Sequence, residues 1–239
     1  MSHIHAGREL FLQEMREIRA DVSRETRDQL EAMVHVLMRW QKAINLVGKA
    51  TLEDIWTRHI LDSAQLAPLI PPTAQTLVDL GSGAGFPGLV LAACRPNLEV
   101  TLVEADARKA AYLGEAARRM GLAKPPKIVI GRIEAIPSAK ADVVTARALA
   151  PLRQLLAWAS PHRSDTAICL FHKGKGWQAE LAEAMKEWDI SYQSLSSVTD
   201  RDAVLLRIGD YRASSVPKGA ADLRDRQPKG RRREDDDGD

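Results

Sequence analysis

Residues 77–88, LVDLGSGAGFPG, place three glycines at alternate positions directly behind an apolar run that ends in an acid. The run 76–80 reads as a buried strand, and GLVLAACR beyond the glycines reads as a helix. Gly81, Gly83 and Gly85 suit a backbone that turns sharply and lets a ligand come closer than a Cβ permits. The helix start behind them offers unpaired N–H groups and the positive end of a dipole. A strand, a glycine turn and a helix in that order point to a ligand site at the carboxyl end of a sheet.

The rest of the chain supplies that sheet. Apolar runs at 76–80, 99–105, 127–130, 141–146 and 166–171 alternate with the helical stretches GLVLAACR, ARKAAYLGEAARRM and PLRQLLAWA. Such alternation gives a parallel sheet with helices on both faces. After a helix near Gly176–Trp188, SYQSLSSVT and DAVLLRIG stand close together and read as an antiparallel hairpin, bringing the sheet to seven strands. Ahead of it, Arg8 to Leu69 reads as helix throughout. Ser23 with Glu25 caps one helix, whose apolar residues from Leu30 to Ile44 recur at spacings of three and four. Thr51 caps a second over TLEDIWTRHILDSAQL, and Pro71-Pro72 closes the block. The expected organisation is an N-terminal helical region (1–72) packed on an α/β core (73–212). A charged tail (213–239) follows, poor in large apolar residues and expected to be disordered.

Composition narrows the function. At 239 residues and 45% hydrophobic, the chain has apolar material for one sizeable core. Its 34 Lys and Arg against 32 Asp and Glu leave only +2, so a polyanionic partner has to meet a local cluster of bases. Cys94 and Cys169 lie far apart among apolar neighbours, and no zinc-ligand spacing occurs, so no metal is expected. No run of about 18 apolar residues is present for a membrane span, and MSHIHAGREL lacks the apolar centre of a signal peptide. A cytoplasmic monomer without membrane attachment is the expectation.

The ligand of the glycine turn has two readings. Gly83-Ala-Gly85-Phe-Pro-Gly88 satisfies GxGxxG, and Glu104 ends the next strand about 20 residues on, as a dinucleotide site requires. An NAD-type oxidoreductase therefore stays open. Two features favour S-adenosylmethionine. Asp79 completes an acidic-x-Gly-x-Gly-x-Gly frame that resembles the first motif of Rossmann-like, class I methyltransferases, and no second catalytic domain follows the sheet. The Glu104 carboxylate can accept hydrogen bonds from ribose hydroxyls in either case.

The remaining strand ends speak to chemistry. They offer Asp79, Glu104, the segment Gly131–Glu134, Arg147 and His172-Lys173. The fourth strand ends in Thr145-Ala146-Arg147-Ala148-Leu149. It has neither the Asn/Asp-Pro-Pro-aromatic clamp common in methylation of exocyclic amines nor a nucleophilic cysteine. A ring nitrogen with a lone pair, such as N7 of guanine, needs neither, and positioning alone can contribute roughly 7–11 kcal/mol. Arg147, a planar fork of donors, is the candidate to orient guanine or the cofactor carboxylate. Arg58, His59, Arg147, Arg153, His172, Lys173 and Lys175 together could line a basic mouth for phosphates.

Several of these motifs coincide with one family. NLVGKA followed by RHILDS (58–63), the loop LVDLGSGAGFPG, GRIEAI, TARALAPL and FHKGK resemble the RsmG (GidB) family of bacterial small-subunit rRNA methyltransferases over about residues 35–210. The resemblance implies methylation of guanine N7 in the 530 loop of 16S rRNA, with S-adenosylmethionine as cofactor and 16S rRNA or the small subunit as partner. It implies that Gly81 and Phe86 line the cofactor, that Ile133 and Glu134 meet the adenine, and that Arg147 sits at the site. The sequence departs from the family at Ile133, where alanine is usual and a backbone contact is the safer expectation. It departs again at His172, where an aliphatic residue is more frequent. A ribosome-assembly factor that keeps the fold but only binds RNA is a further reading; the intact glycine turn counts against it.

Overall fold

The computed structural model describes residues 2–17 and 22–214, so the tail expected from 213 lies, beyond Ser214, outside the described residues. Two helices come first, α1 (Ser2–Glu17) and α2 (Arg24–Trp40). The Ser23 side-chain oxygen caps α2 by accepting the Thr26 N–H at 3.0 Å.

The helical block expected to Leu69 is interrupted after Trp40. Gln41 folds its side chain over the next turn, accepting the Leu46 and Val47 N–H groups at 3.0 and 3.1 Å and donating to the Val47 carbonyl at 2.8 Å. A side chain that pairs those backbone groups removes the need for helix there. Thr51 is not a helix cap; it sits in a 3-10 turn (Lys49–Thr51), with its hydroxyl donating to the Gly48 carbonyl at 2.8 Å. A π-helical turn, Trp56–Leu61, then runs into the one-turn α3 (Asp62–Ala64). Such turns are frequent at functional sites.

The core follows as β1 (Thr76–Leu80), α4 (Gly88–Cys94), β2 (Glu99–Glu104), α5 (Ala107–Met120), β3 (Lys127–Ile130) and β4 (Ala141–Ala146). After it come α6 (Leu152–Ala159), β5 (Arg163–Lys173), α7 (Trp177–Ala184), β6 (Trp188–Ser196) and β7 (Val204–Ala213). The strand order is β3-β2-β1-β4-β5-β7-β6, with β1 to β5 parallel and β7 antiparallel to both neighbours. This is the expected seven-stranded, mostly parallel sheet.

Strand periodicity sorts the apolar residues onto two faces. Leu77, Val143, Ile168 and Leu170 join one cluster with α1, α2, α4 and α5 through Phe11, Leu30, Met33, Leu89 and Tyr112. Val78, Leu80, Val144, Cys169 and Phe171 join the other with α6 and α7 through Leu152, Leu155, Leu156 and Leu181. The N-terminal helices thus share a core with the sheet. Trp40 Nε1–H reinforces this by donating to Glu115 of α5 at 2.7 Å. No described helix is long and apolar enough to cross a membrane.

Candidate active site

β1 and β4 are neighbours, but the chain leaves them toward opposite faces, to α4 and to α6. A crevice opens between such connections at the carboxyl ends of the strands. The turn after β1 forms one wall, with Gly81, Gly83 and Gly85 at φ of +67°, +53° and +84°. All three are in the left-handed region that favours glycine. The reasons differ by position. A Cβ at Gly81 or Gly85 would come within 2.6 Å of Leu149 or Leu89, whereas at Gly83 it would meet nothing closer than the Gly81 carbonyl at 3.8 Å. Gly83 is the position whose space is left to the cavity.

Glu104 is buried beside this turn, 8% exposed. Its Oε2 accepts the Gly83 N–H and its Oε1 the Asp106 N–H, both at 2.8 Å. A carboxylate oxygen has two lone pairs, so each still has one to offer. Together these residues border a cavity of about 520 Å³ that runs from Leu46 and Val47 past Gly81, Gly83, Phe86 and Glu104 to Ile133, Glu134, Arg147 and Trp158. That volume is in the range of small-molecule sites. Ile133 is buried, its carbonyl taken by His162 Nε2 at 3.2 Å, and Glu134 is exposed at the rim.

Two expected cofactor contacts are not at the cavity surface. Asp79 is fully buried under the turn, where Oδ1 accepts the Thr145 hydroxyl at 2.7 Å and Oδ2 the Gly88 N–H at 3.3 Å. It ties β1 to β4 and to the start of α4, and burial pushes its carboxyl up to about 6. Gly85 likewise accommodates Leu89 and does not border the cavity. Both Asp79 oxygens are turned to Thr145 and to the start of α4, with no exposed surface.

The opposite wall is built from side chains. Arg147, at the end of β4, donates through Nη1 to Asp62 Oδ2 at 2.9 Å and to the Arg58 carbonyl at 3.1 Å, and through Nη2 to His59 Nδ1 at 2.6 Å. An arginine can only donate, so His59 Nδ1 is the acceptor and Nε2 carries the hydrogen toward the Thr51 hydroxyl at 2.8 Å. Burial and the Arg147 charge bring His59 down to about 4, so it is neutral at pH 7. Phe86 packs against both: the His59 ring stacks on it at 5.0 Å, and the Arg147 guanidinium sits 5.1 Å from its centroid. Of the five guanidinium hydrogens, Nε–H and one on Nη2 find no protein acceptor among the described residues.

Asp62 holds this wall together. Its Oδ1 accepts the Thr199 hydroxyl at 2.8 Å and Gln65 Nε2 at 2.9 Å, and its carbonyl accepts His172 Nε2 at 2.6 Å. Burial works against its ionisation, but His172, Arg147 and the Thr199 hydrogen bond outweigh that and hold the carboxyl below the usual range. A second cavity of about 340 Å³, lined by Arg58, Asp62, His172, Thr199 and Asp200 among others, meets the first at His59, Arg147 and Ala148.

The basic mouth is only partly assembled. Lys173 borders the second cavity, but its ammonium is held by Glu180 at 2.6 Å and the Ala150 carbonyl at 2.9 Å. Arg153 pairs with Glu187 at 2.8 Å and lines neither cavity. Asp62 drew notice only within the family motif, and Thr199 and Asp200 drew none. Thr199 and Asp62 are 137 residues apart, and no local pattern joins them.

A family model described as rRNA small subunit methyltransferase G (GidB) matches residues 26–205. The chain is 50% identical over 191 residues to the ribosomal RNA small subunit methyltransferase G of Paramagnetospirillum magneticum, covering 80% of this chain and 91% of that protein. It is 51% identical over 191 residues to the protein of the same name from Rhodospirillum rubrum, covering 79% and 92%. Among solved structures it is similar to a methyltransferase from Geobacter sulfurreducens, with TM-score 0.51 and 13% identity over 76% of this chain and 87% of that one. It is also similar to M. jannaschii TYW2 in complex with AdoMet, with TM-score 0.52 and 13% identity over 67% and 78%. At those identities the likeness is one of fold.

Proposed function

The chain belongs to the rRNA small subunit methyltransferase G family, and from that premise we propose that it methylates N7 of a guanine in the 530 loop of 16S rRNA, with S-adenosylmethionine as methyl donor. The observation that carries the reading is the first cavity, which joins a left-handed glycine turn and a buried carboxylate on one wall to a partly uncommitted arginine on the other. The relatives favour neither an oxidoreductase nor a non-catalytic RNA binder.

When bound, the cofactor supplies an electrophilic methyl group on a sulfonium sulfur. Glu104 is suited to the ribose hydroxyls through its remaining lone pairs. Gly83 lets that group approach the backbone, Gly81 borders the cavity beside it, Phe86 supplies an apolar surface, and Ile133 with Glu134 stands where the adenine is expected. Asp79 and Gly85 support the turn from beneath. Guanine N7 already has a lone pair, so no side chain has to remove a proton. That accords with a site whose histidine is neutral and engaged with Arg147. Arg147 is the candidate catalytic residue: His59 and Asp62 fix its plane, and its two remaining N–H groups are free to orient the base or the cofactor carboxylate. We propose that it acts as a monomer.

The test is to incubate the protein with methyl-labelled S-adenosylmethionine and unmodified small subunits, digest the rRNA and identify the labelled nucleoside. Label in 7-methylguanosine at one position of the 530 loop is expected. Label in a different nucleoside, or none despite bound cofactor, contradicts the reading.

A further inference from the structure

We infer that the second cavity seats the target base and that Asp200 reads the Watson–Crick edge of guanine there, an inference that rests on the methyl-transfer reading of the first cavity. The two cavities share only His59, Arg147 and Ala148, so a base in one presents a single edge to the other. On the guanine perimeter O6 lies between N7 and N1. With N7 at the junction, O6 comes next to it, and N1–H and the N2 amino group are carried into the second cavity.

Those two donors need an acceptor, and the acidic groups nearby differ in what they have left. Asp62 Oδ1 accepts from both Thr199 and Gln65, and its Oδ2 faces the Arg147 charge on a side chain only 16% exposed. Asp200 is freer. Its Oδ1 accepts the Asp202 N–H at 3.0 Å, and among the described residues its Oδ2 has only a 3.4 Å contact with Arg58, with both side chains more than two-fifths exposed. The connection that carries it is nonetheless fixed. Thr199 is bonded to Asp62, and the Val198 N–H donates to Gln65 Oε1 at 3.0 Å. Bordering the second cavity and paired loosely with Arg58, the Asp200 carboxylate keeps acceptor capacity for a ligand that donates.

Guanine is the base whose Watson–Crick edge carries two adjacent donors beside an acceptor. Adenine would turn the lone pair of N1 toward the same carboxylate and be repelled, which gives Asp200 a role in rejection as well as in binding. Arg147, at the junction, keeps N–H groups for O6.

The inference is tested with small subunits carrying inosine at the methylated position, since inosine keeps N7, O6 and N1–H and lacks the N2 amino group. The wild type is expected to methylate inosine roughly tenfold or more slowly than guanine in kcat/KM, the effect of losing one hydrogen bond to a charged group. Asp200→Ala is expected to be slow on both and to lose the difference, with wild-type cofactor affinity. Asp200→Asn, which keeps the shape, is expected to narrow the difference and serves should the alanine variant fail to fold. A wild type indifferent to inosine, or an Asp200→Ala variant that keeps the wild-type ratio, overturns the inference. Failure of the methyl-transfer reading is distinct: the wild type then yields no 7-methylguanosine from natural subunits.

Discussion

On the wall formed by the turn after β1, polar contacts run from backbone N–H groups of Gly83, Gly88 and Asp106 to two buried carboxylates. On the wall around Arg147 they run mostly between side chains drawn from segments 85 to 137 residues apart. The first wall depends on backbone shape, and an added Cβ harms it most. The second depends on charge and tautomer, with neutral His59 accepting from Arg147 and ionised Asp62 receiving it. On the proposed function the first wall holds the cofactor and the second positions the reaction, and substitutions should separate the same way.

The sharpest break in the comparison comes at Gly83. Gly83→Asp puts a side chain at φ +53° and a second carboxylate beside Glu104, so affinity for S-adenosylmethionine should fall at least roughly a hundredfold by calorimetric titration. Near-wild-type affinity would remove the turn from the ligand site.

The carboxylate beneath the turn should appear in stability. Burial lifts Asp79 from 3.8 to about 6, so the folded chain holds that proton more tightly than the unfolded one. Its folded pKa is the raised one; stability relative to Asp79→Asn should therefore decline as pH climbs from about 4 to about 6, by up to about 3 kcal/mol, and level off above. Urea unfolding of both proteins across that range checks it, and a difference that does not change with pH would contradict it.

The smallest effect is expected on the other wall, at His172. Its Nε2 donates to the Asp62 carbonyl, but Nδ1 is buried without a partner among the described residues, and that carbonyl also accepts Gln65 Nε2 at 3.0 Å. His172→Leu loses one hydrogen bond and relieves one unpaired acceptor, so stability should change by less than about 1 kcal/mol. A loss above about 3 kcal/mol would make this histidine an anchor of the cluster.

The difference between the walls also governs what the sequence disclosed. Strands at 76–80, 127–130 and 141–146 lie where the apolar runs place them. β5 begins three residues earlier than its apolar run because Arg163, Ser164 and Asp165 are polar and partly exposed, which hides them from a reading based on burial. The helical reading of Arg8 to Leu69 fails after Trp40, where one side chain, Gln41, takes the backbone groups of Leu46 and Val47, while residues 56–64 are helical as expected. Glycines and Glu104 were legible because their chemistry is local and contiguous. Asp79 was legible as part of a motif but not in its place, since only the packed loop shows that Thr145 and Gly88 consume its oxygens. Asp62 and Asp200 are ordinary surface acids in sequence; their meaning comes from partners that tertiary structure brings near.

The division of labour between the walls is tested most directly at Arg147, by measuring cofactor affinity and the single-turnover methylation rate of Arg147→Lys side by side. Lysine keeps a charge opposite Asp62 and loses the planar fork. The rate should fall about a hundredfold or more, with affinity within tenfold of wild type and a protein that stays folded at the assay temperature despite the lost Arg58 and His59 hydrogen bonds. A rate near wild type, or an affinity that falls as far as the rate, would contradict the assignment of positioning to this wall.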